Sequence, residues 1–182
     1  MSDWVFDGGR PCLDLVNTFR DRALGGRELL TGPAALADWF VAAGLLTTRP
    51  RVTAAQLAAA LDLRTAVDDV LLGHRPSVAG VRLVNQVAQA VPLPVPQLRS
   101  NEGGRLRVVA ARKDVPSVLT LLAVDAIELA ATETTVRECA ADDCGLRFAD
   151  TSPKGNRQWC SMARCGNRMK ARAHYARRQQ PR

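Results

Sequence analysis

Four cysteines near the C-terminal end are the residues best suited to chemistry. Cys139 and Cys144, then Cys160 and Cys165, form two pairs of identical C-x4-C spacing inside one 27-residue window. Four thiolates supplied as two pairs close a tetrahedral shell around a single Zn2+. That shell leaves no open position for water, so the metal it implies is structural rather than catalytic. The fifth cysteine, Cys12, stands far upstream among apolar residues and reads as a small buried hydrophobe. The opening MSDWVFDGGRPC lacks the basic stretch and apolar core of a secretory signal, and no apolar run is long enough for a membrane span. The expected location is therefore the cytoplasm, where thiols stay reduced and paired cysteines favour metal over disulfides.

The ligands need elements to place them. Cys139-Ala-Ala-Asp-Asp-Cys144-Gly145 reads as a knuckle, two ligands flanking a tight turn, with Gly145 at the positive-φ position that such turns need. Leu146 to Ala149 is expected to leave as a strand, with Gln158-Trp159-Cys160 returning beside it and loop composition between them. Ser161 is a good N-cap for a helix that holds Cys165 in its first turns. Two ligands from a knuckle and two from a helix start describe a treble-clef-like zinc finger, whose small core makes metal binding a large part of its folding energy.

The charge collects in the same segment. Residues 139–182 carry ten basic and three acidic side chains, residues 1–138 fifteen of each, so the whole excess of +7 lies in the last quarter of the chain. A zinc ion on four thiolates lowers that local charge to about +5, still a patch that attracts phosphates in a salt-dependent way. Projected as an α-helix, Arg164, Arg168, Arg172, Tyr175 and Arg178 fall on one arc about 120° wide. Cys165, Ala176, Met169, Met162 and Ala173 take the next arc, toward the metal and core. Lys170 and Arg177 extend the charge round the other side. Arginine forks suit phosphates and guanine edges, and Tyr175 can stack or pack on a sugar. These seven are the candidate nucleic-acid contacts, set against the plainer reading of a solvated basic tail. Asn167 and Arg168 have a second reading, in which they tie the knuckle to the helix and donate toward sulfur. His174 lies too far along the helix to join the metal shell and reads as a surface residue, while His74 suits a helix C-terminus.

Residues 1–133 read as a mostly helical domain, followed at 134–182 by the finger with its basic C-terminal helix. Pro11 starts a helix with Cys12, Leu13, Val16 and Phe19 at helical spacing, broken at Gly25-Gly26. Thr31 caps a second helix that Gly44 ends; Thr53 opens a long third, closed by Gly73; Ser77 begins a fourth; Ser117 caps a fifth. Between the last two, VPLPVPQLRS and RLRVVAA flank NEGG as a candidate hairpin. The fold class is thus mainly α with a small β-hairpin, α+β. Asp14, Asn17 and Thr18 are polar residues in an apolar helix. They either line a small-molecule pocket or are satisfied inside the core.

Cys160-Ser-Met-Ala-Arg-Cys165-Gly166-Asn167-Arg168 resembles the signature of the CGNR zinc-finger family. Cys139-x4-Cys144, Phe148-x-Asp150-x-Ser152, Arg157-x-Trp159-Cys160 and Lys170 agree with it. Gly8-Gly9-Arg10-Pro11-Cys12-Leu13-Asp14-Leu15-Val16-Asn17-Thr18 resembles the opening of the ABATE domain that precedes this finger. The resemblance implies Cys139, Cys144, Cys160 and Cys165 as zinc ligands, a bacterial source, and stress-linked transcription regulation through DNA binding by the finger. It identifies no DNA contacts.

Three functions follow as expectations. The first is a regulator that binds duplex DNA through the finger, with residues 1–133 sensing a small-molecule effector or forming a homodimer. In the second, the zinc module is an RNA- or protein-interaction platform, since fold alone does not choose. In the third, the main domain is an enzyme and the zinc part a clip. The chain lacks a P-loop, a nucleotide fingerprint, a nucleophile elbow and an HExxH, which argues against an enzyme.

Overall fold

The computed structural model describes residues 4–73, 75–109 and 113–179, and within the last helix the side chains of Ala173, Arg177, Arg178 and Gln179 lie outside that description. His74 also falls outside the described residues. Helix α1 (Pro11–Val16) starts on its proline, and its first free N–H, on Cys12, donates to Asp125 Oδ2 at 2.8 Å. The helix is shorter than its apolar stripe suggests. Asn17 ends it, and Phe19–Arg20 forms β1, paired antiparallel with β2 (Arg27–Glu28) around a 3-10 turn at Arg22–Leu24. Gly25 and Gly26, both at positive φ, supply the reversal. Over so short a stretch, apolar spacing does not separate a helix from a hairpin.

Helix α2 (Pro33–Ala42) follows Gly32, which replaces Thr31 at the cap position, and Gly44 ends it at φ 68°. Helix α3 (Ala54–Leu72) opens on the expected Thr53, which forms a reciprocal capping box with Gln56. Helix α4 (Val78–Ala88) opens on Ser77, whose N–H and hydroxyl both donate to Asp69 near the end of α3. The expected hairpin is present as β3 (Gln97–Ser100) and β4 (Leu106–Val109). Helix α5 (Val115–Ala130) begins two residues before the expected Ser117 cap. Asp114 is the cap, Ser117 returns the bond from the third helical position, and Pro116 sits in the first turn, where it needs no donor.

The core lies where α1, α3, α4 and α5 meet, roofed by α2. Leu13, Trp39, Phe40, Leu63, Val67 and Leu122 are fully buried there. Cys12 is buried as expected, and burial raises its thiol far above the usual range. After α5 the chain forms β5 (Thr135–Glu138), antiparallel to β6 (Arg147–Asp150). This corrects the expected partner of β6: Gln158 instead accepts a hydrogen bond from the Ala140 N–H, beside the first cysteine. The β-branched run before Cys139 reaches β6 through the knuckle itself. Strand β6 is seated on the helical domain: Ala149 joins the main core, and its N–H donates to the Gly8 carbonyl at 2.9 Å. Among the described residues, no helix is long and apolar enough to cross a membrane.

Candidate metal centre

A second apolar cluster forms behind β6 from Val5, Ala141, Leu146, Phe148 and the four C-terminal cysteines, with Trp159 and Met169 packed against it. Cys139 leaves β5, Cys144 ends the knuckle turn, Cys160 precedes the last helical segment, and Cys165 lies in its first turn. The four sulfurs lie within 4.8 Å of one another, and all four residues are buried. Cys160 Sγ is 3.8 Å from Cys144 Sγ and 3.7 Å from Cys165 Sγ. Four sulfurs at about 2.3 Å from a tetrahedral zinc stand about 3.8 Å apart, so the set fits one Zn2+. The Cys160 N–H points to Cys139 Sγ at 3.4 Å and Arg168 Nη2 to Cys165 Sγ at 3.7 Å, donors that suit thiolates. Without a cation the thiols oppose one another. Cys144 is lowered to about 5, chiefly because Cys160 donates to it. Cys160 must keep its proton to do so and is raised, and burial pushes Cys165 up to about 12. A divalent ion removes the conflict, and the four buried, closely set sulfurs hold zinc as a structural centre.

Two residues that carry no role in the spacing of the cysteines hold the shell in place. Asp150, its side chain fully enclosed, accepts from Arg137 Nε, the Ser152 N–H and hydroxyl, and the Arg157 N–H. These bonds, the Ser152 hydroxyl first, hold its carboxyl below the usual range. Arg157 donates to the Trp159 and Cys160 carbonyls and lies 4.7 Å from the Phe148 ring centroid, fixing the approach to the third ligand. The signal for both was the spacing Phe148-x-Asp150-x-Ser152 and Arg157-x-Trp159-Cys160. Gly145 has φ 67°, as the knuckle requires, and a Cβ there would stand 3.1 Å from Arg22 Cβ. Gly145→Ala is therefore expected to destabilise the chain by about 1–2 kcal/mol, read as a lower denaturant midpoint at unchanged slope.

The segment after Cys160 is wound as a π turn (Met162–Gly166) before α6 (Asn167–Gln179), with Ser161 as its cap. The extra residue in that turn breaks the simple α projection across it. Three arginines expected to face outward are turned onto carboxylates: Arg164 on Asp7 at 2.9 Å, Arg168 on Asp143 at 2.5 Å, and Arg172 on Asp142 and Asp143 at 2.9 and 3.3 Å. Arg168 thus makes the knuckle-to-helix tie that its second reading expected. Met162, placed by the projection on the inner arc, is 46 % exposed. Past Met169 the described side chains, Lys170, Ala171, Arg172, His174, Tyr175 and Ala176, are all exposed. Tyr175 meets the His174 ring edge-on. Arg177 and Arg178 continue the same helix, with side chains outside the described part.

Asp14, Asn17 and Thr18 find partners within the protein rather than a pocket. Asp14 accepts from the Gly8 N–H at 2.9 Å, and burial raises its carboxyl to about 7. Asn17 exchanges two bonds with the Arg147 backbone, and the Thr18 hydroxyl donates to Leu15 and accepts from Arg64. One cleft between described residues is lined instead by Phe19, Arg22, Arg64, Thr65 and Asp68.

The residues 9–133 match the family model ABATE, described as "Putative stress-induced transcription regulator", and residues 135–178 match the CGNR zinc finger. No curated protein matches the chain. With its four sulfurs set for one zinc ion behind a helical domain, this chain belongs to the ABATE family and ends in a CGNR zinc finger.

Proposed function

We propose that the protein is a DNA-binding transcription regulator in which the zinc finger holds α6 against duplex DNA. The observation that carries this reading is the end of α6. The helix is rooted by Cys165 in the metal shell, contains no acidic residue, and exposes every described side chain past Met169. Lys170 has no carboxylate partner among the described residues, and Arg177 and Arg178 add two cations further along. The ion pairs of Arg164, Arg168 and Arg172 orient the helix from its base, so the phosphate contacts fall to its outer half, with Tyr175 for stacking. Residues 9–133 then act as the sensor or dimerisation module, in a regulator rather than an enzyme.

The triple variant Lys170→Ala, Arg177→Ala, Arg178→Ala tests this by fluorescence anisotropy on labelled duplex DNA at several salt concentrations. Binding should weaken, and the slope of log K against log salt should fall by about 0.9 for each phosphate contact removed. Zinc should stay at one per chain. An unchanged slope would reject α6 as the contact surface, and equal competition by RNA or nonspecific duplex would redirect the reading away from a specific DNA site.

A further inference from the structure

One cleft lies at the junction between the helical domain and the finger, away from Asp14 and the zinc shell. Its volume is about 260 Å3, just below the roughly 300–1,000 Å3 of drug-sized sites. Phe19 forms its floor. A Cβ at Gly26 would fall 2.3 Å from the ring, so the ring rests on bare backbone and is held still. Two guanidiniums flank that ring, Arg22 Cζ at 5.0 Å and Arg64 Cζ at 5.6 Å from its centroid. Thr65 is exposed at the mouth.

Against two arginines the lining holds one carboxylate, Asp68, and that carboxylate is shared: Oδ2 faces Arg22 Nη1 at 3.3 Å while Oδ1 accepts from Arg147 Nε at 3.0 Å. Arg64 is fixed in place by Glu28 and Thr18. Arg22 spans the cleft differently. Its Nη2 donates to the Val16 carbonyl, and its Nε is buried with no partner. A buried N–H left unmade is a standing cost to the fold. Burial, with Arg147 and Arg64 nearby and against the pull of Asp68 and Glu138, holds this guanidinium below the usual arginine range.

We propose that this cleft binds a small molecule through an oxyanion, a carboxylate or a phosphate, gripped by Arg22 and Arg64 with its body on Phe19. The proposal deepens the sensor role given above to residues 9–133 and rests on it. The location supplies the coupling. Arg22 Cβ stands 3.1 Å from where Gly145 would carry a Cβ, and Arg147 Nη1 donates to the Gly145 carbonyl at 3.3 Å. Gly145 follows the zinc ligand Cys144, so a ligand that draws Arg22 from Asp68 acts on the contacts that seat the knuckle.

Calorimetric titration of the zinc-loaded full chain with inorganic phosphate, acetate and benzoate tests this. At least one should bind at a single site with millimolar affinity or better. Phosphate alone would identify the phosphate source; acetate or benzoate alone, the carboxylate source. Arg22→Gln should weaken that binding by about tenfold or more. Thr65→Trp fills the mouth and disturbs only a hydroxyl bonded within its own helix, so it should abolish binding while the ligand-free melting temperature stays unchanged. Absence of binding by all three probes would overturn the proposal. So would binding that survives Thr65→Trp, even where Arg22→Gln fails to fold. The titration contains no DNA, so its failure leaves the DNA reading standing, and a chain that ignores DNA can still pass it.

Discussion

Cys160→Ser is expected to release the zinc and unfold the finger while the helical domain keeps most of its far-ultraviolet signal. The cluster around the metal has four apolar residues besides the cysteines and two at its margin, too little apolar surface to hold β5, β6 and the π turn without the ion. Zinc bound by peptides of this kind contributes about 10–16 kcal/mol of apparent free energy near pH 7, much of it folding energy here. Cys160 is the most connected ligand: it is fully buried, with its sulfur beside those of Cys144 and Cys165 and its N–H on Cys139. The main core is built from other residues, with Ala149 and Val136 the contributions from the finger's strands. Metal analysis and circular dichroism on the variant, with chelator-treated wild type alongside, check both halves. One zinc per chain retained in Cys160→Ser would contradict the ligand assignment.

Asn17→Ala should carry the next largest effect. Asn17 is 2 % exposed, and its amide meets the peptide of Arg147 on both sides, Nδ2 donating to the carbonyl and Oδ1 accepting the N–H, each at 2.8 Å. It pairs with β6 as a neighbouring strand would. Alanine leaves two backbone groups unmade, at about 1–3 kcal/mol each, so a total loss of about 2–6 kcal/mol is expected. Urea unfolding of the zinc-loaded variant measures it, and faster zinc loss to a chelator should accompany the change. A variant within about 0.5 kcal/mol of wild type would show that these bonds do not hold the finger to the domain.

What the sequence makes legible here is local. Thr53, Ser77, Gly44 and Gly73, the β3–β4 hairpin, and the cysteine spacing each fix a feature within a few residues, and the structure has them. The features that differ depend on partners far along the chain. Arg164 stays exposed but pairs with Asp7, and Arg168 and Arg172, exposed as well, pair with Asp142 and Asp143 at the crown of the knuckle. An amphipathic projection contains no information about those carboxylates. Asn17 reads equally well as a pocket residue or a core one until β6 is placed beside it. The β1–β2 hairpin was hidden by an apolar spacing too short to specify a period, and the oxyanion cleft by the 46 residues that separate Thr18 from Arg64.

The bonds between Asn17 and Arg147 span 130 positions, whereas the four sulfurs fall within 27. Closing so long a loop is entropically costly and slow compared with folding a metal knuckle on itself. A growing polypeptide emerges from the ribosome with its helices first, so the platform that receives β6 can form before the last cysteine emerges. The ion is then captured next to a finished surface, and docking follows as an encounter between two formed parts. Vectorial synthesis thus offers this molecule an ordered route that dilution from denaturant, which releases both halves at once, does not reproduce.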